Sequence, residues 1–306
     1  MPDSDRDVFT SFEPIISARP EGNPWTTGRD GTARFKVDYE LLEQLLSIPV
    51  GELRTSASGR LAKAIDAWVA SEIRRAGFPP DEVWPRLEAP RVLPREVGLF
   101  VARLPQAIQQ QARDALLRDR KVAPSDARVL GRAYVKQVDV LMAQWARGPE
   151  LLVSTKSMVG SFRNNIANRF EESYGDAKNL RGRHPLAAMG FLFVLRSTIL
   201  DDPGSFEKAL DMLRKLRAEE DVYDATCVVV ADWDDQAFCG VRLVREAVPD
   251  DLEAGRFLTT LVEAVLARTP VEMHVEARSR REHRILPLEE SDTGAIVDPG
   301  FDQIQD

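Results

Sequence analysis

Cysteine, histidine and long apolar runs are all scarce in this chain. Two cysteines, Cys227 and Cys239, and three histidines, His184, His274 and His283, stand among 306 residues. The cysteines form no CxxC pair and lie in or near apolar, strand-like sequence, so buried free thiols are expected rather than a disulfide framework or a zinc site. The histidines are far apart and match no zinc spacing, which leaves them as ordinary core or surface residues. The most apolar stretch, residues 185–195, ends at Arg196 and is too short to span a bilayer, so no membrane partner is expected. The N-terminus reads MPDSDRD, without the basic start and apolar middle of a secretory signal, and the expected setting is the cytoplasm. No G-x-x-x-x-G-K-[ST] and no G-x-S-x-G occur, which removes the simplest ATPase and serine-hydrolase readings.

Positive charge is also in deficit, at a formal net of −8, but the deficit belongs to the ends. Residues 1–30 carry six acids against three arginines, and residues 286–306 carry six acids and no base. What remains between them is close to neutral. Within it, residues 111–185 hold fourteen Lys or Arg against eight Asp or Glu. The overall charge therefore does not exclude a nucleic-acid partner, because the basic surplus is local.

The chain divides by pattern. Residues 1–36, rich in Pro, Gly, Asp, Ser and Thr, read as a flexible N-terminal arm. Residues 37–120 read as a helical region: DYELLEQLLSI from Asp38 is one helix, and Leu61, Ile65, Trp68, Val69 and Ile73 place a core stripe on a second. Prolines at 79, 80, 85, 90 and 94 break the chain into a connector, and a further helix over 95–120 is expected to break near Pro105. From 121 to 285 strands alternate with helices, giving an α/β fold: a mixed central sheet flanked by helices. Strands are expected at 134–143 and 151–158, paired as a hairpin through the Arg147-Gly148-Pro149 turn. Later strands are expected at 190–198, 225–233 and 271–277, with helices at 161–180, 203–219 and 250–267 and a short turn of helix from Ser125. Residues 286–306 read as an acidic disordered tail.

Within the expected hairpin, alternation sets Gln137 and Asp139 on one face of the first strand, and Ser154 and Lys156 on one face of the second. A carboxylate amid apolar strand residues is costly to bury unless it meets a metal, a cation or several donors. The following helix carries Asn164, Asn168, Glu171, Gly175 and Asn179 along one stripe, with Glu172 beside it. Two carboxylates with a lysine suit phosphodiester hydrolysis. The carboxylates, Asp139 with Glu171 or its neighbour Glu172, would hold Mg2+ or Mn2+ through oxygen, and Lys156 would orient water and offset developing charge. Arg163, Arg169, Lys178, Arg181 and Arg183 flank these positions and are the expected contacts to a nucleic-acid backbone. Gln137, Asn164 and Asn168 would support them.

Residues 130–198 resemble the PD-(D/E)xK restriction-endonuclease-like nucleases. Asp139 followed by Ser154-Thr155-Lys156 has that layout, with Ser154 where the motif carries its second acid and Val138 where it carries proline. In some type II restriction enzymes the strand reads S-x-K and the following helix supplies the carboxylate about fourteen residues beyond the lysine. Here Glu171 lies 15 and Glu172 lies 16 residues beyond Lys156, and Glu171 is preferred for sharing the polar stripe. The resemblance implies a restriction-endonuclease-like core and Mg2+-dependent DNA cleavage in bacterial restriction or phage defence, by a homodimer or larger oligomer. It equally admits a subunit of a defence or repair complex that keeps the fold for DNA recognition or interaction without cutting.

Overall fold

The computed structural model describes residues 7–53, 58–119 and 121–282; the expected acidic tail at 286–306 lies outside the described residues. A short 3-10 turn, Val8–Ser11, precedes α1 (Glu13–Ser17) and a small antiparallel hairpin of β1 (Trp25–Thr27) and β2 (Ala33–Phe35). Next come α2 (Tyr39–Leu53), α3 (Ser58–Arg75), β3 (Val83–Trp84), α4 (Arg95–Arg103) and α5 (Gln106–Arg118). The remainder is β4 (Ala127–Leu130), β5 (Val135–Val138), β6 (Val140–Gln144), β7 (Gly148–Met158), α6 (Phe162–Arg181), β8 (Ala188–Arg196) and α7 (Pro203–Ala218). It closes with β9 (Ala225–Asp232), β10 (Arg242–Leu243), α8 (Ala254–Arg268) and α9 (Val275–Arg281).

Among the described residues six strands form a mixed sheet in the order β10-β9-β8-β7-β6-β3, so the fold is α/β. β7, β8 and β9 run parallel, and the flanking pairs are antiparallel. The middle strand β8 reads AMGFLFVLR and is buried along almost its whole length, the continuous apolar run of a strand covered on both faces. Leu192 and Val194 face one layer with α2, α3 and α8, whereas Phe191, Phe193 and Leu195 face a second layer with α6 and α7. Gly190 lets α8 approach, because a Cβ there would stand 2.8 Å from both Phe257 and Leu261. Helices α2 and α3 thus share one core with the sheet, and the boundary expected at 120 separates no independent core.

Three expectations change. Residues 7–36 are not a loose arm: Phe9, Phe12, Trp25 and Phe35 are buried in the main core, and Arg91 ties the segment down through Asp7 and Glu13. The short helix expected from Ser125 is the strand β4. The strand expected at 271–277 is helical, a 3-10 turn Val271–His274 running into α9. Its sequence, VEARSRR, is rich in good helix formers, and Arg278 donates to the carbonyls of Leu266 and Thr269 at the end of α8. His274 is buried against Glu150, 3.0 Å away, as a core histidine. Of the thiols, Cys227 is buried and Cys239 is exposed.

Candidate functional site

The expected hairpin is two pairings joined at Asp139. β5 pairs with β4, and β6 pairs with β7, so the strand changes partner at that residue. Released from a ladder partner at the junction, the Asp139 carboxylate turns to β7 and accepts the backbone N–H of Thr155 at 2.9 Å. This places it beside the S-x-K segment, with Lys156 one residue further on. Burial raises the Asp139 carboxyl above the usual range, although the Thr155 N–H and the charges of Lys156, Lys63 and Lys136 oppose the shift.

A second carboxylate arrives from a residue that the sequence reading missed. Asp66, on α3 and 1% exposed, accepts the Thr155 hydroxyl at 2.6 Å. Thr155 therefore bridges two acids, Asp139 through its backbone and Asp66 through its side chain. Burial, and then the nearby Asp139 charge, push the Asp66 carboxyl up; Lys63 and the Thr155 hydroxyl pull the other way. Lys63 lies 3.4 Å from Asp66 and 2.8 Å from Asp126, and so offsets part of this negative charge. The signal was present in SGRLAKAIDAWVASEIRR, where Asp66 interrupts an apolar helix face much as Asp139 interrupts an apolar strand.

On the other face of β7, Lys156 reaches Glu172 at 3.1 Å. Glu172, not the preferred Glu171, is the inward glutamate, and Glu171 is exposed. The reason is the rotation of α6, whose buried residues include Ile166, Ser173, Ala177 and Leu180. That docking turns Asn164, Asn168, Glu171 and Gly175 to solvent and brings Arg169, Glu172, Asp176 and Asn179 toward the sheet edge. Burial acts to raise Glu172, but hydrogen bonds from Arg169 (2.7 Å) and Lys156 outweigh it and hold the group ionised below the ordinary range. Ser154 lies near the Tyr223 hydroxyl, which donates to the Ser173 carbonyl at 3.1 Å. Gln137 is exposed beside Arg128 on β4. Asn164 and Asn168 are exposed.

The expected backbone-binding cations also divide. Arg163, Arg169 and Arg183 are exposed, with Arg163 paired to Asp202 at 2.8 Å. Lys178 is half-buried and donates to the Glu220 carbonyl at 2.6 Å. Arg181 is buried and unsuited to a ligand. It donates to the carbonyls of Pro185, Ala187 and Val222 and to Asp224 at 2.8 Å, locking the end of α6 to the starts of β8 and β9. Arg181→Ala is expected to cost about 2 kcal/mol of stability in urea unfolding, because the carbonyls of Pro185, Ala187 and Val222 lose this donor while Asp224 keeps Arg268 at 2.6 Å. Any nucleic-acid affinity of the folded variant should be unchanged. Weakened binding at full stability would instead return Arg181 to the ligand-contacting set.

Among the described residues no group of three or more His, Cys, Asp or Glu side chains could by itself hold a metal ion. Asp66 and Asp139 supply two carboxylates that meet the same residue, Thr155, and a pair so placed suits a hard divalent cation that keeps water or substrate oxygens on its remaining positions. Lys156 and Glu172 flank the pair from the other face. Helices long and apolar enough to cross a membrane are absent among the described residues. No protein-family model, no curated protein and no solved structure matches this chain.

Proposed function

We propose that this chain is a metal-dependent endonuclease that hydrolyses DNA phosphodiester bonds. The observation that carries the reading is Thr155, which joins Asp139 and Asp66 within one residue of Lys156. Asp139 and Asp66 would hold Mg2+ or Mn2+, and the ion when bound supplies an acidified water and neutralises charge on the phosphate. Lys156 is the cation for the attacking water and the developing negative charge, and Glu172 positions its ammonium from α6. Lys63 faces Asp66 and keeps the two buried carboxylates tolerable in one another's presence. Restriction or phage defence in the cytoplasm, in a homodimer or larger assembly, is the role carried by the PD-(D/E)xK resemblance.

Ser154, standing where the motif has an acid, favours a second reading, a nuclease-fold subunit that recognises DNA without cutting it. Purified protein incubated with supercoiled plasmid and Mg2+ separates the two. Nicked or linear product that disappears with EDTA is expected. Intact plasmid across methylated and unmethylated preparations, with the protein folded and retarding duplex DNA in a gel, would replace the nuclease reading with the second one.

A further inference from the structure

The ribbon of β4 and β5 presents an outward face that none of the described residues covers. Arg128 and Gln137 are register partners, as are Leu130 and Val135, and all four are exposed. Leu130 is 49% exposed and Val135 56%, an unusual position for two large apolar side chains facing each other. The opposite face is anchored. Ala127, Val129 and Val138 are in the core. Asn179 accepts the backbone N–H groups of Ala133 and Tyr134 and donates to the Tyr134 carbonyl, holding the turn against α6. Lys136 pairs with Asp176, which also accepts the Tyr134 hydroxyl at 3.0 Å. The ribbon is rigid where it meets the protein and bare where it does not.

Charge selects its occupant. The acids beside the ribbon are matched internally, Asp126 by Lys63 and Asp176 by Lys136. Arg128, Arg132 and Arg183 remain exposed around it, with Arg132 packed against Gly182. A two-stranded ribbon has the width to enter a duplex major groove, where arginine reads guanine, glutamine reads adenine, and apolar side chains meet the thymine methyl. β5 runs directly into Asp139. The Arg128–Gln137 pair stands two residues from that carboxylate, about 7 Å along the strand. A backbone held at the carboxylates would bring the adjoining groove to the ribbon.

We propose that the β4–β5 ribbon is the sequence-reading element of this protein, inserting into the major groove of double-stranded DNA with Arg128 and Gln137 on base edges and Leu130 and Val135 against thymine methyls. The inference builds on the nuclease reading by naming what selects the DNA to be cut. Arg132 and Arg183 supply contacts to phosphate, which orient without specifying.

The test uses the full chain with a pool of 30-base-pair duplexes of randomised centre, in Ca2+ instead of Mg2+. Repeated capture and sequencing should yield a preferred sequence, and fluorescence anisotropy then compares it with a scrambled duplex. Arg128→Ala and Gln137→Ala are each expected to lower affinity for the preferred duplex by about ten- to a hundredfold, and for the scrambled duplex by less than about threefold. Arg132→Ala should weaken both duplexes alike and reduce the salt dependence by about one phosphate contact. All three side chains are exposed, and thermal melting verifies that the variants fold. The proposal is overturned if wild type selects no duplex, if it binds single-stranded RNA in preference, or if both ribbon variants keep the wild-type ratio of preferred to scrambled binding. The nuclease reading fails separately: ribbon-dependent selection by a protein that never cuts would sink that reading and leave this one standing. Cleavage at an unchanged set of sites by both ribbon variants would do the reverse.

Discussion

Replacing Asp139 by asparagine, or Lys156 by alanine, is expected to lower Mg2+-dependent DNA cleavage by about a thousandfold or more, close to 4 kcal/mol of transition-state stabilisation. The asparagine still offers an oxygen to the Thr155 N–H, so the junction between β5 and β6 should survive while the ligand charge is lost. Lys156 is half-buried and paired on its Glu172 side, and its removal leaves a half-buried glutamate that Arg169 still neutralises. Neither change should unfold the protein. Single-turnover cleavage with melting controls checks both, and duplex binding should stay within a few-fold of wild type. Cutting at near wild-type rates by either variant would remove this cluster from the chemistry. Glu172→Gln should show a smaller loss, about tenfold, because it acts through the position of Lys156, and Glu171→Gln should show none.

The α/β class, the order of most elements and the strand that carries Lys156 were readable from periodicity, because local pattern decides them. β8 is apolar throughout, since both of its faces are covered, and β9 reads the same way. What escaped depends on partners distant in sequence. Residues 134–143 look like one strand, yet β5 follows β4 and β6 follows β7, and no local signal marks where a strand changes partner. Glu171 and Glu172 differ by one position, or about 100° around a helix, and which one faces the sheet depends on how α6 docks. Phe162, Ile166 and Phe170, spaced i, i+4 and i+8, pack against the second core layer, and Ser173, Ala177 and Leu180 continue that buried stripe along the helix. In residues 7–36 a turn-rich composition concealed four aromatic anchors, Phe9, Phe12, Trp25 and Phe35, each buried. Arg181 was grouped with its surface neighbours because a basic side chain is usually solvated. Its carbonyl partners come from two other segments, those that lead into β8 and β9.

Asp66 tests whether the candidate site reaches beyond the motif, since α3 lies far upstream of the resemblance. Asp66→Asn is expected to reduce cleavage by about a hundredfold while making the metal-free protein more stable, the trade expected where like charges are held together for function. The sign follows from the shifts. Burial and the neighbouring Asp139 charge raise the folded-state pKa of Asp66 above its unfolded value, and burial raises that of Asp139. A raised carboxyl contributes stability that is complete below the unfolded pKa and lost as pH climbs through the folded one. Wild-type protein without divalent ion should therefore lose stability between about pH 4 and about pH 8, and the asparagine variant should lose less. Mg2+ should stabilise the two chains unequally. At ten times its dissociation constant it stabilises wild type by about 1.4 kcal/mol, whereas the variant, with one carboxylate instead of two at that point, gains little. Thermal unfolding with and without Mg2+ at both pH values reads all of this. If Asp66 only holds Thr155 in place, the variant will melt lower at either pH and keep the full Mg2+ response.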